Sequence, residues 1–254
     1  MVVSKYTASG NDFVIFHSFV KKDRSELAKK LCDRQNGIGA DGLIVLVPHE
    51  TLDFEWEFYN SDGSYAAMCG NGTRATAHYA YNKGLANKEM KFLTGAGVIS
   101  CIVDGDIVET ELTKPKLIKD YFTEEGYEWI LIDTGVPHLV ALVEDITKFD
   151  KEIARKMRYK YNANVNFAKF ENGVLKVRTY ERGVEDETLA CGTGMCASFL
   201  SAKNKNFINN FSKIYPTSGE ELEVRFDNNT LYFKGKVKET FIANINNNPN
   251  CYLK

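Results

Sequence analysis

The sequence is poor in cysteine: six thiols among 254 residues, about 2% and well below the density of a disulfide-stapled scaffold. No pair is spaced C-x-x-C, and no Cys or second His stands at zinc-ligand spacing near any of the four histidines, so no metal is expected. Reduced thiols, mostly buried as small hydrophobes, are the plain expectation. Excess charge of either sign is also missing. Lys plus Arg number 32 against 34 Asp plus Glu, a net charge of −2, which offers no footprint for nucleic acid or an anionic membrane. Long apolar runs are absent too, the longest clean one, Leu43 to Val47, being far too short to span a bilayer. The opening MVVSKYTASGND has neither the basic start nor the apolar stretch of a secretory signal. At 44% hydrophobic and 26% charged the composition is that of a globular protein, which excludes disorder and fibrous repeats. A soluble, cytoplasmic protein is expected.

What the chain does have is an internal repeat. Residues 2–17 read as a strand, a Ser9–Asp12 turn and a second strand from Phe13; Trp129 to Ile132, a Thr134–Pro137 turn and Leu139 to Val143 read the same way. Amphipathic helices follow at Ser25–Leu31 and Lys151–Met157, with Glu, Ala and Lys aligned at an offset of 126 residues. Each helix leads into a β pair: Gly42 to Val47 with Phe54 to Phe58, and Asn164 to Phe170 with Val174 to Tyr180. The second pair turns at Asn172-Gly173, a strong hairpin signal. Further hairpins are expected at Asp104-Gly105 and Asp227-Asn228-Asn229.

Each pair then runs through a polar loop into Cys-Gly-x-Gly and a small-residue helix, from Cys69 to about Lys83 and from Cys191 to about Lys203. The two cysteines stand 122 residues apart. The pattern predicts an α+β fold of two pseudo-symmetric domains from an internal duplication, each a mostly antiparallel or mixed sheet wrapped around a central helix. The domains are expected at 1–115, joined by a last strand at about 240–254, and at 116–239, with the active site in the cleft between them. The Asn-rich stretch from Asn244 to Asn250 reads as loop.

A cysteine just before a helix start lies where orphan N–H groups and the helix dipole favour an anion, which draws a thiol's pKa down. The following glycines let the backbone approach a carboxylate and point N–H groups at it. Two such motifs, matched by duplication, describe a thiol on each side of one ligand atom. Inversion at a stereocentre needs that: one thiolate removes a proton from one face, and the opposite thiol returns one to the other. Backbone donors at both helix starts would hold the carboxylate as it gains enolate character, and losing one such donor costs about 2.7–4 kcal/mol. The plain alternative is a pair of packed thiols with turn-forming glycines. Cys32, Cys101, Cys196 and Cys251 keep that reading. A third reading is a dinucleotide fingerprint, Gly70-x-Gly72-x-x-Ala75 and Gly192-x-Gly194-x-x-Ala197. It is disfavoured because about ten residues separate the strand end near Tyr59 from Gly70, and Ser212 and Lys213 occupy the place of the acidic residue in the second copy.

On these motifs the sequence resembles the diaminopimelate epimerase family, cofactor-independent enzymes that interconvert LL- and meso-diaminopimelate on the route to lysine and peptidoglycan. The likeness runs nearly end to end, through Ser9–Phe13, Gly39–Gly42, Tyr59–Ser64, Met68–Arg74, Thr134–His138, Asn164–Phe167, Tyr180–Gly183 and Thr188–Gly194. It implies Cys69 and Cys191 as the two acid/base residues, with carboxylate donors at Gly70, Asn71, Gly192 and Thr193. Substrate contacts fall on Asn11, Asn60, Asn164, Glu181 and Arg182, and His138 and Glu181 match positions that tune the thiols. Neutral amides, one carboxylate and one guanidinium suit a zwitterion with two amino-acid ends. The resemblance further implies a homodimer. Three departures bear on substrate: Val136 where the family commonly has Asn, Gly42 in place of a Gln, and a loop from Gly183 to Ala190 one residue longer than usual. They leave open a racemase of the same fold acting on another amino acid; from a different class, a two-domain amino-acid-binding protein is the rival.

Overall fold

The computed structural model describes residues 1–245, and its chain divides into two compact units, 1–108 with 236–245, and 109–235. The part of the last-strand expectation that covers residues 246–254, Cys251 included, lies outside the described residues.

In the first unit, β1 (Val2–Ala8) turns tightly through Ser9 and Gly10 into β2 (Asn11–His17). Both turn residues have positive φ, 48° and 87°, the geometry of a two-residue hairpin. Helix α1 (Ser25–Cys32) buries Ala28, Leu31 and Cys32. Strands β3 (Gly42–Val47) and β4 (Phe54–Asn60) follow, then α2 (Gly70–Asn82), β5 (Glu89–Thr94) and β6 (Gly97–Asp104). Strand β7 (Ile107–Glu111) carries the chain into the second unit. That unit holds β8 (Lys116–Glu124), β9 (Tyr127–Asp133), β10 (Pro137–Leu142), α3 (Lys151–Tyr161), β11 (Asn164–Glu171), β12 (Val174–Glu181), the short β13 (Asp186–Thr188), α4 (Gly192–Asn204), β14 (Phe211–Tyr215) and β15 (Leu222–Asp227). Strand β16 (Thr230–Lys236) leads back to β17 (Lys238–Asn244) of the first unit.

The pairing repeats step for step. In the first unit β17, β1, β2, β3, β4, β5 and β6 are neighbours in that order, joined antiparallel, antiparallel, parallel, antiparallel, parallel, antiparallel. In the second, β8, β9, β10, β11, β12, β14 and β15 follow the same succession. The fold is the expected α+β duplication with mixed sheets. Asn172-Gly173 and Asn228-Asn229 both turn with positive φ, which only such residues tolerate well.

Each sheet surrounds a helix that has almost no solvent face. Every residue from Gly70 to Ala80 of α2 is buried, as is every residue from Gly194 to Ala202 of α4. α2 packs on β1, β2, β3 and β6, and α4 on β9, β10, β11, β12 and β15. Ala and Gly at these positions admit strands from several sides at close approach. The peripheral α1 and α3 are amphipathic, with α3 capped at its start by Asp150, whose carboxylate accepts from Ile153 N at 2.9 Å, and closed by Asn162 in the left-handed region. No helix among the described residues is long and apolar enough to cross a membrane.

Candidate active site

Cys69 and Cys191 occupy the same structural position, the residue that caps the start of the enclosed helix in each unit. Both are extended, with φ −152° and −125°, and their carbonyls accept the first helical bonds, from Thr73 N at 2.8 Å and Met195 N at 2.9 Å. Each sulfur therefore sits at the positive end of a helix that its sheet encloses. Cys69 Sγ accepts from Gly72 N at 3.4 Å; Cys191 Sγ lies 3.6 Å from Thr193 Oγ1.

Around the start of α2, a line of polar side chains runs from a buried cation to a carboxylate. Arg74, with no exposed surface, donates to Asn71 Oδ1 and to Ser9 Oγ, both at 2.7 Å. Asn71 Nδ2 donates to Asn11 Oδ1 at 2.8 Å, and Asn11 Nδ2 donates to Asp41 Oδ2 at 2.9 Å. A guanidinium that only donates and a carboxylate that only accepts leave both amides one orientation each. Asp12 is tied to Lys5 at 2.7 Å and to Arg34 at 2.9 Å. Although its burial works the other way, these bonds bring the Asp12 pKa down to about 2. Asn60 ends β4 at an exposed position, where its Nδ2 donates to Ser64 Oγ at 2.9 Å.

The floor under α2 is apolar. Cys69 packs on the cluster that contains Phe13, Ile44, Trp56 and Phe58, and a Cβ at Gly72 would touch Ile44 and Trp56 at 3.4 and 3.6 Å. Gly42, at the start of β3, is hemmed in. A Cβ there would lie 2.5 Å from the Phe58 ring and 2.8 Å from the Tyr59 carbonyl, so this backbone geometry has no room for a larger residue.

The second unit gathers Cys191, Thr193, His138, Asn164 and Arg182 into one network. His138, fully buried on β10, contacts Thr193 Oγ1 through Nε2 at 2.8 Å and Asn166 Nδ2 through Nδ1 at 3.1 Å. Burial, and after it the Arg182 charge, lower the His138 pKa to about 3. The ring is therefore neutral at ordinary pH. Asn164 accepts from Arg182 N at 2.7 Å, and Arg182 reaches the Asn162 carbonyl at 3.0 Å. Glu181 ends β12, in register with Asp186 of β13. The long 183–190 loop is held by a turn from Glu185 N to the Glu181 carbonyl at 2.8 Å and by the Arg158–Glu185 pair at 2.6 Å.

Several residues of these networks were given no role by the sequence reading, although all but Thr179 lie in the motifs it named: Ser9, Asp41 and Arg74 in the first unit, and Thr134, Asn166 and Thr179 in the second. Thr134 Oγ1 donates to the Thr193 carbonyl at 2.8 Å. One signal was visible. Asn164 and Asn166 stand two apart on a strand, so both face the same way, and two amides on the helix-facing side of a core strand need partners.

A duplicated α+β chain with an enclosed helix in each half and a cysteine capping both belongs to a recognisable class of fold. The structure aligns with a probable proline racemase from Agrobacterium radiobacter at a TM-score of 0.74, covering 98% of this chain and 93% of that one at 13% identity. A PhzF-family phenazine biosynthesis protein from Bacillus anthracis aligns at 0.72, over 96% and 98% of the two chains at 14% identity. These likenesses define the fold alone. Sequence goes further: the diaminopimelate epimerase family model matches residues 3–118 and 130–240. A diaminopimelate epimerase from a Nitratiruptor species is 62% identical over 244 residues, 95% of this chain and 97% of the relative. The one from Helicobacter pylori is 44% identical, over 94% of each. The chain belongs to the diaminopimelate epimerase family and is an enzyme of the isomerase class.

Proposed function

We propose that the protein interconverts LL- and meso-2,6-diaminopimelate, without a cofactor, by moving the α-proton between two thiols, in the supply of lysine and peptidoglycan precursors. The observation that carries this reading is the matched pair of helix-capping cysteines, Cys69 and Cys191, one in each duplicated half. A thiolate at one takes the proton from one face, and the thiol at the other returns a proton to the opposite face, so each direction needs one base and one acid. The titration then belongs to the pair. Gly70, Asn71, Gly192 and Thr193 would donate backbone N–H groups to the carboxylate on the reacting carbon. Asn11, Asn60, Asn164, Glu181 and Arg182 would bind the substrate's amino and carboxylate groups, and His138 and Glu181 would tune the thiols. The high identity of its relatives supports the substrate; the family resemblance suggests a homodimer, and the balanced charge without long apolar runs suits a cytoplasmic one.

One observation favours testing a second substrate: the space at Gly42 admits no side chain, so a Gln cannot serve there, and Val136 offers no polar group. The test is proton exchange. Reduced enzyme with LL-diaminopimelate in D2O should incorporate deuterium at the α-position as the meso isomer forms, by NMR, and both Cys69→Ser and Cys191→Ser should lose it. Folded, reduced enzyme that leaves the α-proton in place would overturn the substrate assignment and direct a screen to other amino acids.

A further inference from the structure

The polar floor under α4 has a direction. The Leu139 carbonyl only accepts, so the Asn166 atom 2.9 Å from it is the amide nitrogen. Thr179 Oγ1 donates to Asn166 Oδ1 at 2.8 Å and holds the other end of the amide. Asn166 Nδ2 also reaches His138 Nδ1 at 3.1 Å. A donor at that nitrogen requires a lone pair on it, which places the ring proton on Nε2. Nε2 then donates to Thr193 Oγ1 at 2.8 Å, and the Thr193 hydroxyl keeps its own proton for Cys191 Sγ at 3.6 Å.

The opposite tautomer fits worse. It would gain a donor from Asn164 Nδ2, which approaches His138 Nε2 at 3.4 Å. In exchange it would set two N–H groups face to face across the 3.1 Å between Asn166 and His138, a closer opposition than the 3.4 Å between Asn164 Nδ2 and the ring N–H in the favoured tautomer. Turning the Asn166 amide over would bring its oxygen against the Leu139 carbonyl at 2.9 Å. The amide also has no freedom toward the helix: a Cβ on Gly194 would fall 2.3 Å from Asn166 Oδ1, so the glycine makes room for it.

We propose that Asn166 is a positioning residue that locks His138 in its Nε2–H tautomer and so aims the Thr193 hydroxyl proton at Cys191. The proposal rests on the epimerase reading, in which Cys191 is one of the two sulfurs that move the α-proton. A hydroxyl donating to sulfur favours the thiolate over the thiol. The buried ring, with Arg182 the charged group acting on it, stays neutral and therefore has a tautomer to choose.

The test reads the tautomer directly. With the four histidines labelled with ¹⁵N, and His138 assigned by its disappearance in His138→Gln, NMR of the substrate-free enzyme should show a protonated Nε2 and a bare Nδ1. Asn166→Leu, a neutral near-isostere, should release the preference, and Asn166→Asp, which accepts where the amide donates, should move the proton to Nδ1. In a Cys69→Ala background, Asn166→Leu should also slow alkylation of Cys191 by iodoacetamide at neutral pH about tenfold, one unit of pKa. A proton on Nδ1 in the unaltered enzyme would overturn the proposal, as would an unchanged tautomer in Asn166→Leu. A released tautomer with unchanged alkylation would overturn the aim at Cys191. None of these readings uses diaminopimelate, so an intact lock in an enzyme that leaves diaminopimelate untouched would fault the substrate reading alone.

Discussion

The two halves present their thiols on one backbone plan over opposite chemistry. Phe13 and His138 hold corresponding places, each opposite the first residue of the next parallel strand, Gly42 or Asn164. Ile44 pairs with Phe58 across β3 and β4 where Asn166 pairs with Thr179 across β11 and β12. The helix glycines agree: Gly72 faces Ile44, and Gly194 faces Asn166 and Thr179. So Phe13, Ile44 and Phe58 line one floor, and His138, Asn166 and Thr179 the other. The backbone sets where a sulfur sits; the three side chains beneath set what the sulfur feels. In the proposed reaction each sulfur is base in one direction and acid in the other, so unlike surroundings bear on which of the two holds the proton at rest.

The largest effect that tests this partnership is loss of either sulfur. Cys69→Ser and Cys191→Ser should each lower the rate of meso-diaminopimelate formation by about 10²–10⁴-fold; a variant in one half that keeps substantial turnover would break the equal need for both. Next, importing the polar floor alone should be costly. Ile44→Asn buries an amide among Phe13, Trp56 and Phe58 and should destabilise by about 3–5 kcal/mol, combining lost apolar burial with an unsatisfied polar group. Urea unfolding measures this, and a cost under 1 kcal/mol would mean the first floor has room for water.

The helix glycines should then diverge. Gly194→Ala, crowding a hydrogen-bonded amide, should cost about 1–3 kcal/mol, whereas Gly72→Ala meets only ordinary contacts and gains helix propensity, so its unfolding midpoint should stay or rise. Equal costs would sink the distinction. The smallest effect is in acid. His138 has a folded pKa of about 3 against 6.5 for the free side chain, so the unfolded chain takes up the proton first. Stability present above pH 6.5 is lost as pH falls below it, by about 1 kcal/mol over the first unit of pH, and His138→Gln should remove that slope. Asp12 acts lower. Its pKa moves from 3.8 to about 2, so its contribution is present above pH 3.8 and fades toward pH 2, and Asp12→Asn should flatten only that range.

Most of the architecture was legible because the duplication repeats local signals: the turns at Ser9–Asp12 and Thr134–Pro137, the α1 and α3 pattern, and Cys-Gly-x-Gly ahead of each enclosed helix. The cysteine pair came from the same motifs, whereas the amides Asn11, Asn60 and Asn164 came from the family resemblance. The floors were not legible. Whether a strand residue faces the helix start depends on register, which only the assembled sheet defines, so the spacing of Asn164 and Asn166 could show a shared face but not that Asn166 lies under α4 against His138. Arg74 was hidden for a related reason, since a guanidinium inside a small-residue helix finds Ser9 and Asn71 only after the chain has folded.

One feature of the chain path reaches beyond the site. β1 lies between β2 and β17, with Val2 opposite Asn244. On the ribosome the whole of residues 109–235 emerges before β17 does. At about 5–20 residues per second, β1 waits on the order of 10–50 s with one edge bare while the second half is free to assemble. The first half is thus begun first and finished last, and an exposed strand edge of that lifetime is where a nascent-chain chaperone would be most needed.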